Sequence, residues 1–189
     1  GNYGVGNFGD EALREYFLRT YPTVQWTVLS AHPKQGELPR LPGGMRSFFS
    51  FSWLRTFKAF RQTDAVVFGG GTLFTDTESL YASFLWWMHA TVARLCGKPR
   101  IFAAQGIGPW RTKLGKWYAK SALKNAAFLS VRDTASMNRA VQVTNRKIVQ
   151  TFDPIFSLFA ANNSPREPKN VLIIIPRGKL FIEIIDTIG

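Results

Sequence analysis

Twelve acids, two histidines and one cysteine are few for a chain of 189 residues, and each shortage excludes something. With Cys96 alone, no intrachain disulfide and no cysteine-based metal site can form, which fits a reducing cytoplasm. His32 stands before a proline. His89 lies inside an apolar helical pattern, where a hydrogen-bonded core histidine is the ordinary outcome. No spacing of His, Cys, Asp and Glu suits a metal, and no G-x-S-x-G nucleophile elbow occurs. Long apolar runs are also missing. The run from Leu80 to Val92 is about 13 residues and contains His89, short of the ~20 needed to cross a bilayer, so a buried helix is expected. The chain starts in a glycine-rich loop, not a basic segment followed by an apolar one, so no signal peptide is expected.

What is present is positive charge. Against 12 acids stand 24 lysines and arginines, a formal charge of +12. That surplus favours anionic partners: nucleic acid, phosphorylated or carboxylated small molecules, or an anionic membrane face. Apolar residues make up 46% of the chain, enough for a proper core.

Short apolar runs alternate with longer helical stretches. Strands are predicted at 24–30 (VQWTVLS), 65–68, 100–104, 127–131 and 147–151, mostly apolar throughout, as in parallel strands covered on both faces. Helices are predicted at 11–20, 53–61, 79–96, 112–125 and 134–141, the third ended by Gly97-Lys98-Pro99. This alternation predicts an α/β fold with a doubly wound, Rossmann-like parallel sheet over residues 1–160. A glycine-rich turn that opens a helix normally follows a strand, so the first strand of this domain is expected to be missing. Residues 161–170, polar and proline-bearing, read as a linker. Residues 171–189, opening with VLIII, read as the start of a truncated second domain.

Gly4-Val5-Gly6-Asn7-Phe8-Gly9 spells G-x-G-x-x-G. Yet Asp10 and Glu11 occupy the first helical turn, where carboxylates complement the helix dipole and compete with a pyrophosphate for the same N–H donors. The acid expected about 20 residues on, to hold a ribose, is absent. The pattern is therefore not read as a nicotinamide site. A tight turn with Asp10 as N-cap is expected, and a substrate role for Asn7 and its neighbours stays open beside it.

Three further motifs fall at strand ends. Gly69-Gly70-Gly71-Thr72 follows AVVF and leads to Asp76 and a long helix, with no Walker lysine after it. Gln105-Gly106-Ile107-Gly108-Pro109 follows the next strand, where Gln105 would be able to hydrogen-bond a sugar. Arg132-Asp133 ends another; Arg132 would clamp a carboxylate or phosphate, or pair locally with an Asp133 that caps the next helix. Asp153 reads as a turn former. Ligands of open α/β sheets bind at this carboxyl edge.

From Arg40 to Arg61 (RLPGGMRSFFSFSWLRTFKAFR), basic residues alternate with phenylalanines. Trp53, Leu54, Phe57 and Phe60 share a helical face, with Arg55, Lys58 and Arg61 largely opposite. Two readings are open: a helix packed on the sheet with a basic rim, or attachment to an anionic membrane surface. No recognition module accompanies the charge, so nucleic acid is not an expected partner.

Taken in order, GNYGVGNFGDEAL, DAVVFGGGTLFTDTESL, GKPRIFAAQGIGP, AFLSVRDTAS and TFDPIFSL resemble the polysaccharide pyruvyl transferase family over most of residues 1–160. The resemblance implies the N-terminal half of a GT-B-like two-domain fold. It also implies transfer of the pyruvyl group of phosphoenolpyruvate to a sugar of a cell-surface polysaccharide precursor, giving a pyruvate ketal and phosphate. Arg132 matches the family's R-D motif and is assigned to the donor anion. Asn7, Asp10, Glu11, Gly70, Gly71, Asp76 and Gln105 would line the acceptor side. The family's second-domain Arg/His motif, where the general acid is expected, is absent, so this chain alone is expected to be inactive. The implied partners are phosphoenolpyruvate and a saccharide or lipid-linked saccharide, and no cofactor is implied; an anionic membrane surface is a further expected partner through the segment Arg40 to Arg61. Two alternatives remain, a nucleotide-sugar glycosyltransferase of the same architecture and a non-catalytic glycan- or membrane-binding domain.

Overall fold

The computed structural model describes residues 1–160; the linker and second-domain expectations for 161–189 lie outside the described residues. Four apolar runs form parallel strands: β3 (Val66–Gly69), β4 (Arg100–Gln105), β5 (Phe128–Val131) and β6 (Val149–Gln150), side by side in chain order. Parallel neighbours need crossovers. Here α4 (Leu80–Leu95), α5 (Lys113–Leu123) and α6 (Thr134–Ala140) provide them. Because the strands step one way, right-handed crossovers put all three helices on one face.

Side-chain alternation along β4 fixes what each face buries. Phe102, fully buried, stacks on Phe68 of β3 with ring centroids 4.7 Å apart and meets Phe74 edge-on. Ala90 of α4 and Ala119, Ala122 and Leu123 of α5 close over this cluster. The small alanine side chains let the two helices come down onto the aromatic rings. Ile101 and Ala103 point the other way, toward a side walled by α1 (Phe8–Thr20) and α7 (Ile155–Ala160), which pack on each other. Arg100 is buried at the foot of β4. It donates to the carbonyls of Ala122, Lys124 and Asn125 at 2.7–3.1 Å, satisfying the last free acceptors of α5.

The first part of the chain is built more sparsely. β1 (Leu29–Ser30) and β2 (Leu38–Pro39) form a separate parallel pair, followed by α2 (Met45–Phe49) and α3 (Trp53–Gln62). The strand expected over 24–30 is thus cut to its last two residues. Residues Val24–Val28 line a large cavity between β1 and β3, so no second ladder holds them extended. The expected amphipathic face of α3 is also corrected. Thr56 and Phe60 are buried and Trp53 is half-buried, while Leu54 and Phe57 are exposed. The helix meets the pair β1–β2 through only one narrow stripe, with the Thr56 hydroxyl donating to the Pro39 carbonyl.

The predicted helix at 79–96 appears as α4, capped by the Ser79 side chain accepting from Ala82 N–H. No helix among the described residues is long and apolar enough to cross a membrane. His89 has the core role expected of it. Its Nε2 accepts from the Leu41 N–H at 3.1 Å and its Nδ1 lies 2.7 Å from the Leu85 carbonyl. Burial pushes its pKa down to about 4; the Leu85 bond opposes that shift and the nearby Arg40 charge adds to it.

Candidate functional site

The C-terminal ends of β3, β4, β5 and β6 bring their following loops to one sheet edge, and the opening loop joins them there. Its place is fixed by Ala31 N–H donating to the Tyr3 carbonyl at 3.0 Å and by the Tyr3 hydroxyl donating to Gly69. Glycine is required where α1 sits on the loop after β3. Gly70 and Gly71 have φ of +65° and +75°. A Cβ on Gly70 would lie 2.5 Å from Leu13, and one on Gly71 2.9 Å from Asp10 Oδ1. Side chains there would lift α1 off the sheet edge.

The N-cap of α1 is Asn7, not Asp10 as the sequence suggested. Asn7 has extended backbone angles and accepts from Gly9 N–H at 3.1 Å, so the helix begins at Phe8. Asparagine is itself among the best N-caps, which places Asp10 at the third helical position, still within reach of the dipole. Asp10 is buried and accepts from Asn7 Nδ2 at 2.8 Å and from Asn2 N–H. Glu11 accepts from Gly4 N–H at 2.6 Å and pairs with Arg14, which also reaches Glu37. Burial alone would raise the Glu11 carboxyl; the Gly4 bond and the Arg14 and Lys34 charges outweigh it and hold the group below its ordinary range. Asn7 stays exposed at the mouth of the loop.

Asp76 and Gln105 are drawn into the scaffold. Asp76 is buried and accepts from the N–H groups of Arg111 and Thr112 and from the Thr112 hydroxyl. It thereby braces the start of α5, whose own cap is Thr112 accepting from Gly115. Burial raises its carboxyl; the Thr112 hydroxyl and the two amides pull it down further, and the net shift is downward. Gln105 is fully buried, and its Nε2 donates to the carbonyls of Phe68, Gly70 and Ala103 at 2.8–3.3 Å. It stitches the C-terminal ends of β3 and β4 together.

Arg132 is different, being partly exposed at the centre of the edge. Nη1 donates to Asp153 Oδ2 at 2.7 Å and Nη2 to Thr72 Oγ1 at 3.1 Å, while Nε lies 3.8 Å from Asp133. Three loops, after β3, β5 and β6, therefore meet at one guanidinium. Each terminal nitrogen keeps one hydrogen beyond these bonds, the two-pronged arrangement that suits a carboxylate or phosphate. Asp133 also caps α6 by accepting from Ser136 N–H at 2.6 Å, so the local pairing expected of it is present. Sequence reasoning missed Thr72 and the pairing of Asp153 with Arg132. The signal available for Thr72 was its place directly after three glycines at a strand end.

Compared with known proteins, residues 7–188 match the family model described as polysaccharide pyruvyl transferase. No curated protein and no solved structure matches the chain.

Proposed function

The chain belongs to the polysaccharide pyruvyl transferase family, and from that premise we propose that its sheet edge binds phosphoenolpyruvate and a sugar for pyruvyl transfer. The observation that supports this reading is Arg132, held by Asp153 and Thr72 with two N–H groups to spare among glycine-rich loops. The donor carries a carboxylate and a phosphate, both of which a guanidinium recognises by paired hydrogen bonds. In the reaction the methylene carbon of the enol takes a proton and the carbon beside it becomes cationic. One sugar hydroxyl adds there, phosphate leaves, and a second hydroxyl closes the ketal. Arg132 offsets the charge of the departing phosphate. Asn7, Glu11, Gly70 and Gly71 form the wall facing the sugar, with Asp10, Asp76 and Gln105 holding that wall in shape.

We read residues 1–160 as one half of a GT-B-like pair of domains, with the general acid supplied by the other half and this half inactive alone. The acceptor is a precursor of a cell-surface polysaccharide, free or lipid-linked, and the reaction runs on the cytoplasmic side. An anionic membrane is a second partner. Between residues 38 and 63 stand five basic residues and no acid. Met45, Phe49 and Phe51 are 57–75% exposed. Arg40 is not part of this surface, since its guanidinium donates to the Tyr3 carbonyl and lies 4.9 Å over Trp86.

The test is phosphate release from phosphoenolpyruvate by the full-length protein with saccharide acceptors. Dependence on a sugar nucleotide instead would replace this reading with glycosyl transfer. For the membrane, co-sedimentation with anionic vesicles is expected to fall when Arg55, Lys58 and Arg61 are changed to Glu; unchanged binding refutes attachment there.

A further inference from the structure

The outward side of α4 and α5 carries a cluster of rings that neither the sheet nor the glycine-rich edge uses. Trp87 of α4 meets Trp117 and Tyr118 of α5 with centroids 5.5 and 5.2 Å away, and its Nε1 donates to the Ser121 hydroxyl at 3.0 Å. Phe84 joins Trp87 and Tyr118, and Tyr81 adjoins Phe84. The outer rim of the cluster meets solvent, with Leu80, Tyr81, Leu114 and Trp117 36–55% exposed. At about 100° per residue, Lys113, Trp117, Lys120 and Lys124 fall on one stripe of α5, and all four are exposed.

Charge and side-chain type together identify what covers this face. Between Glu78 and Asp133 the chain holds nine lysines and arginines and no acid, so the face suits an anionic partner and would repel a second copy of itself. A glycan site would need carboxylates or amides to receive sugar hydroxyls. From Ser79 to Lys124 the one such side chain is Gln105, which is buried. Exposed leucines beside tryptophan, tyrosine and lysine match a different medium, the boundary between lipid headgroups and acyl chains. There, aromatic rings keep an apolar body and a polar tip, and lysine stems lie along apolar surface while the ammonium reaches phosphate.

We propose that the α4–α5 face lies in the headgroup layer of an anionic bilayer, with Tyr81, Leu114 and Trp117 inserted and Lys113, Lys120 and Lys124 on lipid phosphates. This rests on the reading of an anionic membrane as a partner and adds to it a surface outside residues 40–61. The two surfaces adjoin. Phe60 of α3 and Ala93 of α4 share one buried cluster, and the loop before α2 passes so close to Tyr81 that Gly43 has no room for a side chain. The face also borders the sheet edge, where α4 and α5 begin at their caps Ser79 and Thr112. Asp76, in the loop before α4, accepts from the Thr112 N–H at 2.9 Å, so one brace holds both helix starts. Leu80, Tyr81, Lys113 and Leu114 stand in the first turns. Docking therefore sets the edge that bears Arg132 beside the headgroups, where a lipid-linked sugar presents its hydroxyls.

The test uses the full-length protein and vesicles of phosphatidylglycerol and phosphatidylcholine in equal parts. Co-sedimentation is expected to weaken at least ~10-fold when Lys113→Glu, Lys120→Glu and Lys124→Glu are combined, and also when Leu114→Ser is combined with Trp117→Ser. All five positions are exposed, and circular dichroism should show both variants folded. Lipids brominated on their acyl chains are expected to quench tryptophan fluorescence, and Trp117→Phe to remove much of that quenching. Suppose both α5 variants bind like the unsubstituted protein while the Arg55, Lys58 and Arg61 variant does not. Attachment then runs through α3 alone; the membrane reading stands and this proposal falls. Loss in the lysine variant without loss in the Leu114 and Trp117 variant means adsorption by charge only, and overturns it too. Loss in both α5 variants with none in the α3 variant upholds it and removes the α3 site. Failure of the unsubstituted protein to bind these vesicles overturns both.

Discussion

The two parts of this sheet use similar apolar runs and end up differently. In β3–β6, VVFG pairs in full with RIFA, and Phe68, Phe74 and Phe102 interlock beneath α4 and α5. In β1–β2, the partly apolar VQWTVLS keeps only two residues of strand, beside an open cavity and a group of partly buried polar residues, Tyr3, Glu11, Arg14 and Arg40. An apolar run becomes a strand when it has a ladder to join and a face to cover it. The first part has the covering helices but lacks one of the ladders. His89 ties the two parts together, reaching from α4 to the Leu41 backbone.

The largest expected effect would break the comparison if it failed. Phe102→Ala should cost about 3–5 kcal/mol in urea unfolding, as for a large aromatic lost from a packed core. Phe60→Ala, beside the open cavity, should cost less than half of that, because its surroundings are already loosely filled. Equal costs would mean that the two parts are equally packed.

The next effect concerns the tie. His89 is neutral in the fold, with its pKa lowered from 6.5 to about 4, so below pH 6.5 the unfolded chain takes up the proton first. Stability from this group is present above pH 6.5 and declines toward pH 4, by on the order of 3 kcal/mol in all. His89→Gln should flatten that part of the stability-versus-pH curve; an unchanged curve would remove His89 as its cause.

A smaller loss is expected from Asp76→Asn, about 1–3 kcal/mol, since a buried acceptor of three donors is replaced by a group that cannot accept from all of them. The Asp76 carboxyl is held below its ordinary range. Its contribution is therefore present above ~3.9 and lost as pH falls through the folded value. Thermal unfolding at pH 7 and pH 3 should show the variant's deficit shrinking at the lower pH.

Local chemistry explains what could be read in advance. The helix α4 was legible from a mainly apolar run of about thirteen residues and a Gly-Lys-Pro stop, and the long strands from unbroken apolar runs. The two-residue strands and the short α2 were not, because pairings so brief leave no period in a sequence. Arg132 was legible as a residue at a strand end. Its partners Thr72 and Asp153 were not, since they lie 60 and 21 residues away and meet it only once the sheet is formed. An acid at a helix start suggests Asp10 as the cap; Asn7, an equally good cap three residues earlier, holds the position.

The account's central claim is that Arg132 receives the donor anion, and direct titration of phosphoenolpyruvate into the full-length protein and its Arg132→Gln variant tests it. We predict at least a ~10-fold loss of affinity, the scale of one or two charge-assisted hydrogen bonds, with thermal unfolding nearly unchanged because the side chain is partly exposed. Equal affinity in the two proteins, with the variant folded, would contradict the claim.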